Sequence, residues 1–214
     1  MLEINKIYNT NCIQGLKQLD TNCVNLLLTN IPFNVINRTS NGLRSFDKKD
    51  ADVLTFDLSK FLDECNRVCC GSFYIFCSCE QLSEITIYFT SHKITRRLIV
   101  SKKINPCPIN GKTLWLSGVE VAVYAKKKNA VFNDKFRNTV LEYPCSRNKY
   151  HPTEKNINML KELIRISSNE GDLILDPCVG GGGSCVAAKE LGRNFIGFDI
   201  NSEYCKISRE RLGV

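Results

Sequence analysis

Leu173-Ile174-Leu175-Asp176-Pro177-Cys178-Val179-Gly180-Gly181-Gly182-Gly183-Ser184 is the stretch on which the fold turns. Its apolar start predicts a short buried strand over Leu173 to Leu175, and the residues from Ser184 to Leu191 predict a helix. A strand that delivers glycines to a helix N-terminus lets a ligand approach the backbone and its free N–H groups closely. A plain tight turn capped at Ser184 is the competing account. Four consecutive glycines lose much conformational entropy on ordering, which weighs against it.

Phe195-Ile196-Gly197-Phe198 predicts the next strand, and Asp199 at its end is placed to accept hydrogen bonds from two ribose hydroxyls. The nicotinamide-dinucleotide version of such a site wants a third glycine where Cys185 stands, which argues against a dehydrogenase. Upstream, short β-like runs alternate with helical ones. Strands are expected at Lys6 to Asn9, Val24 to Leu28, Ser72 to Cys77, Leu98 to Val100 and Val119 to Tyr124. Helices are expected at Ile13 to Leu19, Leu58 to Cys70 with Gly71 ending it, Gln81 to Thr90, Thr153 to Ile166 and Ser202 to Leu212. Lys126 to Tyr150 reads as irregular. Such alternation means a mostly parallel sheet covered by helices on both faces.

The strand Val24 to Leu28 runs into Thr29-Asn30-Ile31-Pro32-Phe33-Asn34. An amide, a proline and an aromatic at a strand's C-terminal end sit on the ligand-binding edge of a parallel sheet. Asn30 can accept a hydrogen bond from an amino group, a nearby backbone carbonyl can accept a second, and Phe33 can stack on a planar base. Alone, these few residues read better as a simple turn, and their weight comes from the other motifs. The polar stretch Asn34 to Asp52 that follows shows no apolar period, and long loops of this kind tend to be functional.

The chain has 214 residues, a net charge of +7 and 43% hydrophobic residues, enough for a sizeable core. Its mean hydropathy of −0.17 and short apolar runs argue against a membrane span. The N-terminus lacks the pattern of a signal peptide, so a cytoplasmic protein with no membrane partner is expected. From Lys93 to Lys155 there are 14 Lys and Arg against 4 Asp and Glu, so one third of the chain carries all the excess charge. Trp115, Tyr124, Phe132, Phe136, Tyr143 and Tyr150 lie among these residues. A phosphate backbone is the natural counterpart, with a solvated basic surface as the alternative. The twelve cysteines include no Cys-x-x-Cys and have only His92 and His151 to complete a site, so no metal is expected and the thiols are read as core filler.

Taken together with His151-Pro152-Thr153-Glu154-Lys155, the two corners resemble the amino-group DNA methyltransferases, most closely the permuted β-class of N6-adenine and N4-cytosine enzymes. That family shows Asp/Asn/Ser-Pro-Pro-Tyr/Phe, then His-Pro-Thr-Glu/Gln-Lys-Pro, then Asp-Pro-Phe-x-Gly-Ser-Gly-Thr-Thr, then Phe-Ile-Gly-Ile-Glu. Asn30 to Phe33, His151 to Lys155, Asp176 to Ser184 and Phe195 to Asp199 keep this order. Ile31 stands for the first proline, Cys178 for phenylalanine and Gly183 for threonine.

The resemblance implies a single domain over residues 1–214 with a Rossmann-like methyltransferase fold, its mostly parallel seven-stranded sheet flanked by helices. It implies S-adenosyl-L-methionine as methyl donor and the N6 amino group of a flipped adenine in double-stranded DNA as acceptor, with direct in-line transfer. The catalytic group would be Asn30, Ile31 through its carbonyl, Pro32 and Phe33. Cys178, Gly180 and Gly182 would line the methionine part of the cofactor, with Asp176 and Ser184 in the same bend. Asp199 would hold the ribose and Asn11-Cys12 would meet the adenine ring. His151, Thr153 and Lys155 would close the methionine end.

DNA would be met by Lys102, Lys103, Trp115, Arg147 and Lys149 around a recognition segment at about 106–150. The loop at about 34–52, with Arg38, Arg44 and Lys48, would close over it. A homodimer and a cognate restriction enzyme are further candidate partners. N4-cytosine methylation uses the same geometry and stays open beside adenine. So does a weakened member that binds cofactor and DNA without turning over.

Overall fold

The structure is a computed structural model and describes residues 2–34, 52–108, 111–146 and 150–214. Its elements are β1 (Lys6–Asn9), α1 (Cys12–Lys17), β2 (Val24–Asn30), α2 (Leu58–Val68), β3 (Cys69–Cys77), α3 (Cys79–Ser91) and β4 (Thr95–Lys103). They continue as β5 (Val119–Lys126), β6 (Val140–Tyr143), α4 (Ile157–Ser167), β7 (Leu173–Asp176), α5 (Gly183–Glu190), β8 (Asn194–Asp199) and α6 (Ser202–Leu212). The strands form one sheet in the order β1-β8-β7-β2-β3-β5-β4-β6. Seven strands run in one direction and β5 alone runs against its neighbours β3 and β4.

The expectation of seven strands is therefore corrected to eight. The extra one is β6, inside the stretch read as irregular. Only Leu141 of its four residues is buried, so no alternating pattern marks it. It is a strand because β4 offers an open edge, pairing Val100 with Val140 through Lys103 with Tyr143. Gly71 is a second correction, since it lies within β3 rather than ending α2. The register of β2 on β3 shifts between Val24 and Leu26. That irregularity puts the Asn25 carbonyl oxygen 1.7 Å from where a Cβ of residue 71 would stand, so only glycine fits.

Local chemistry explains the helices. Leu58, Phe61, Leu62, Cys65 and Val68 recur at helical spacing and are buried, while the Asp57 carboxylate caps the start by accepting from Lys60 N. Ser78 and Gln81 form a reciprocal capping box for α3. Asn156 caps α4, which begins at Ile157 instead of Thr153.

Two apolar layers flank the sheet. One joins α1, α2 and α3 to Leu27, Phe73, Ile75, Leu175 and Phe198. The other joins α4, α5 and α6 to Leu26, Leu28, Tyr74, Phe76 and Ile174. Successive strand residues alternate between them, as a pleated strand requires. Six buried phenylalanines, including Phe61, Phe73 and Phe198, each contribute about 1.5–3 kcal/mol relative to exposure. The twelve cysteines carry free thiols, six of them buried, although Cys70 is exposed rather than core.

From the pair β7 and β2 the chain moves outward in opposite directions, to β8 through α5 and to β3 through α2. These crossovers lie on opposite faces, so a crevice opens at the carboxyl ends of β7 and β2. Asp176 ends β7 and Asn30 ends β2, which brings the two motif-bearing corners together.

Candidate active site

A cavity of about 450 Å³ occupies that crevice, within the range of roughly 300–1,000 Å³ usual for small-ligand pockets. One wall is the glycine bend, with Cys178, Gly180, Gly181, Gly183 and Ser184; the facing wall is Asn30, Ile31, Pro32 and Phe33. His151, Thr153 and Lys155 lie between them, and Asn11, Cys12 and Asp199 close the side nearer β1 and β8. Gly182 is the expected lining residue that the cavity does not include. It caps α5 at φ +81°, and a Cβ there would stand 3.1 Å from Ser208, so its role is to let α5 pack on α6.

The bend is held from behind by Asp176. Its carboxylate accepts from Thr29 Oγ1 at 2.7 Å, from Cys178 N at 3.0 Å and from the Ser184 hydroxyl. Ser184 therefore sits inside α5 and ties it to β7 instead of capping it. Burial pushes the Asp176 carboxyl up to about 6 despite these donors. Asp199 accepts from Gly180 N at 2.9 Å and from Asn201 N at 2.8 Å, and burial raises its carboxyl too. Gly180 adopts φ +49°, and a Cβ there would come within 3.1–3.3 Å of the His151 ring. The bend is thus bare backbone with a carboxylate beside it, suited to a ligand bearing hydroxyls and a cationic or zwitterionic end.

On the facing wall, Ile31 is fully buried in the core and its N–H donates to the Phe76 carbonyl at 3.2 Å, a hydrogen bond that a proline could not make. The loop is pinned by Gln81 Nε2, which donates to the Pro32 carbonyl at 2.8 Å, and by Asp52, whose carboxylate accepts from Phe33 N at 2.9 Å. Asn30 Nδ2 donates to Thr153 Oγ1 at 3.4 Å. Asn30 Oδ1 is buried and has no hydrogen-bond partner among the described residues. An orphaned acceptor at a cavity wall marks a place for a ligand donor.

Several of the expected residues also have partners within the fold. Asn11 accepts from Ile13 N and Gln14 N, so its side chain caps α1 while lining the cavity. Lys155 Nζ is paired with Glu120 at 2.7 Å and lies 5.2 Å from the ring centroids of Phe33 and Phe76. Its ammonium thus stands against both rings while the residue lines the cavity. Burial would raise the Glu120 carboxyl, yet the Lys155 and Lys103 ammoniums hold it down at about 2. The Cys178 thiol is raised by its hydrogen bond with Cys12 and by burial, which keeps it protonated. Glu154 and Gly181 are joined by Arg211, whose guanidinium lies over the Tyr150 ring.

Of the basic residues, Lys102 pairs with Glu142 at the surface, Lys103 pairs with Glu120, and Trp115 is 99% exposed. Arg38, Arg44, Lys48, Arg147 and Lys149 lie outside the described residues. The basic stretch is divided by the sheet. Lys126 aligns with Ser72 and Thr95 at the far end of the strands from the cavity, whereas Lys102 and Lys103 lie toward it. Tyr124 is no surface aromatic, being buried and stacked on Tyr74. Sequence reading missed Thr29, Asp52, Gln81, Glu120 and Tyr204 as site-building residues. Each acts across the fold, and only the acidic break at Glu120 in a basic stretch hints at any of them. Among the described residues no three His, Cys, Asp or Glu converge to hold a metal, and no helix is long and apolar enough to cross a membrane.

Comparison with known proteins agrees with this geometry. Residues 110–210 match the N6_N4_Mtase family model, described as DNA methylase. The type II methyltransferase M.HpaI of Haemophilus parainfluenzae is 31% identical over 95% of this chain and 72% of its own length. The DNA adenine methyltransferase YhdJ of Escherichia coli K12 is 29% identical over 99% of this chain and 84% of its own. The crystal structure of the M1.HpyAVI–SAM complex superimposes with a TM-score of 0.76 at 26% identity, covering 98% of this chain and 99% of that one. The chain belongs to the N6-adenine/N4-cytosine DNA methyltransferase family, with S-adenosyl-L-methionine as its cofactor.

Proposed function

We propose that the protein methylates the N6 amino group of adenine in double-stranded DNA, acting on a base turned out of the duplex. The single observation that carries this is the buried, unpartnered Oδ1 of Asn30 at the cavity wall. An amino nitrogen conjugated with a base ring is a poor nucleophile. Asn30 Oδ1 and the Ile31 carbonyl accept its two hydrogens, which favours a tetrahedral nitrogen with a usable lone pair. Phe33 stacks on the extruded base, with Lys155 and Phe76 beneath it.

When bound, S-adenosyl-L-methionine supplies a methyl group already activated on a sulfonium. Asp199 holds the ribose, Cys12 and Asn11 border the adenine end, and Cys178 and the Gly180 backbone line the methionine portion. These residues fit the group, because they line one cavity of about 450 Å³ with the Asp199 carboxylate and the bare backbone of the glycine bend on the same side. The enzyme's further task is alignment of the two reactants in line. Trp115, Lys102 and Lys103 meet the duplex; the loop expected at about 34–52 lies, over 35–51, outside the described residues. Adenine is supported by the relative described as a DNA adenine methyltransferase, and a cognate restriction enzyme in the cytoplasm is suggested by the type II relatives. We further propose that residues 1–214 act as one domain.

The test is transfer from methyl-labelled S-adenosyl-L-methionine to mixed-sequence duplex DNA, followed by digestion to nucleosides and mass identification. N6-methyladenine is expected, and Asn30→Ala is expected to abolish it with cofactor affinity nearly unchanged. N4-methylcytosine would move the acceptor to cytosine. Binding of the cofactor with no incorporation would replace the enzyme by a weakened member.

A further inference from the structure

We infer that Gln81 positions Phe33 for methyl transfer by holding the peptide between Pro32 and Phe33 in one orientation, with Asp52 on its other side. Gln81 is then a positioning residue, an inference that rests on the stacking role proposed above for Phe33. A peptide unit is a rigid plane. Turning it about the line between its two Cα atoms changes ψ of Pro32 and φ of Phe33, and so redirects the Phe33 side chain. The Pro32 ring fixes φ there but leaves ψ free, so this plane is where the corner can still turn.

Both ends of the plane are held. The Pro32 carbonyl accepts from Gln81 Nε2 at 2.8 Å, and the Phe33 N–H donates to Asp52 Oδ1 at 2.9 Å. In a trans peptide these groups point in opposite directions, so the two side chains grip the plane from opposite sides. The direction of the Gln81 amide is set by main-chain partners that each have one role. The Ser78 N–H can only donate and meets Oε1 at 2.9 Å, while the Pro32 carbonyl can only accept and meets Nε2. Turning the amide over would set donor against donor and acceptor against acceptor. Gln81 and Asp52 are both buried, so water competes little for these bonds.

Neighbouring groups are tied from other elements. Ile31 N donates to the Phe76 carbonyl at 3.2 Å, and Asn34 N donates to the Asp52 carbonyl at 2.9 Å. The corner is thus suspended between β3, α3 and Asp52, with Phe33 bordering the cavity. Of these four ties, the one from Gln81 is made by a side-chain donor, so a substitution can withdraw it and leave the rest. A capping box accepts Glu as readily as Gln. The ionised carboxylate of Gln81→Glu keeps the bond from Ser78 N but sets an acceptor against the Pro32 carbonyl. Once protonated, it donates there again.

The experiment compares wild type, Gln81→Glu and Gln81→Met at about pH 8 and about pH 5.5, a range in which buried carboxyls titrate. The 214-residue protein is labelled with 15N-phenylalanine, and the Phe33 amide is identified by NMR through its loss in Phe33→Leu. At the higher pH, Gln81→Glu is expected to speed exchange of the Phe33 amide about tenfold over wild type and to lower kcat about tenfold. S-adenosyl-L-methionine affinity is expected to stay within about twofold. At the lower pH both ratios are expected to return to within about twofold. Burial and the Asp52 carboxylate raise the new carboxyl's titration more than the Lys155 ammonium beside the Phe33 ring lowers it. Gln81→Met donates at neither pH and is expected to show both losses at both, which also serves where Gln81→Glu fails to fold. Wild-type exchange or wild-type kcat in either variant at the higher pH would overturn the inference. So would losses in Gln81→Glu that acidification does not reverse, which would leave Gln81 a structural role only. Because exchange is read without DNA, the two claims separate. Reversible exchange in a protein that methylates no DNA would keep the clamp and remove the function, and ordinary methylation with unaltered exchange would do the reverse.

Discussion

Glu120 on β5 and Lys155 ahead of α4, 35 residues apart in the chain, meet at 2.7 Å beneath the aromatic floor of the site. Lys103 reaches the same carboxylate at 3.0 Å, so one acidic residue ties the end of β4 to the segment ahead of α4. A lysine this buried is stable as a cation only with such a partner.

This pair makes stability acid-sensitive. The Glu120 carboxyl titrates near 2 in the folded protein, below its ordinary 4.5. Its contribution is therefore present above about pH 4.5 and is lost as pH falls toward 2. Urea unfolding is expected to show wild type losing about 2–3 kcal/mol relative to Glu120→Gln between pH 5 and pH 2. Parallel curves for the two proteins would mean that the pair contributes nothing.

Asp176 works in the opposite sense. Its folded value of about 6 lies above the ordinary 3.8, because burial penalises the charge. Protonation stabilises the folded state, so this contribution is greatest below about pH 4 and declines as pH rises through 6. Relative to Asp176→Asn, wild type is expected to lose about 2 kcal/mol between pH 4 and pH 7. A difference independent of pH would assign Asp176 an ordinary carboxyl.

Asp199 supports the bend and, in the proposed function, the ribose. Removing its carboxylate leaves Gly180 N and Asn201 N without their acceptor. Asp199→Ala is expected to weaken S-adenosyl-L-methionine binding by about 1–3 kcal/mol, measured by calorimetry below the melting transition. An unchanged dissociation constant would remove Asp199 from the cofactor site.

Trp115 carries no packing load. It is fully exposed, so Trp115→Ala is expected to change unfolding free energy by less than about 0.5 kcal/mol. In the proposed function its effect falls on DNA, where loss of one stacking surface is expected to weaken duplex binding by about 1–3 kcal/mol in a fluorescence anisotropy titration. Equal affinity of variant and wild type would place the duplex elsewhere.

Local sequence carried the alternation of strands and helices, the glycine bend and the Asn-Ile-Pro-Phe corner. Periodicity, glycine runs and proline leave their mark within a few residues, which is also why α2 and α3 began close to where their caps predict. Where packing across the sheet outweighed local preference, the reading failed. β6 exists because β4 has a free edge, and Gly71 is required by a carbonyl 46 residues earlier in the chain.

The amino-acid order alone thus specified which corners carry chemistry and in what family they belong, since those signals are short-range and strung along one strand–turn–helix pattern at a time. Folding settled which atoms of those corners are left to act. It coupled Lys155 to Glu120, turned Asn11 and Ser184 to structural duty, and left Asn30 Oδ1 without a partner among the described residues. Hydrogen bonds between groups tens or hundreds of residues apart depend on position in space, and no spacing along the chain encodes them.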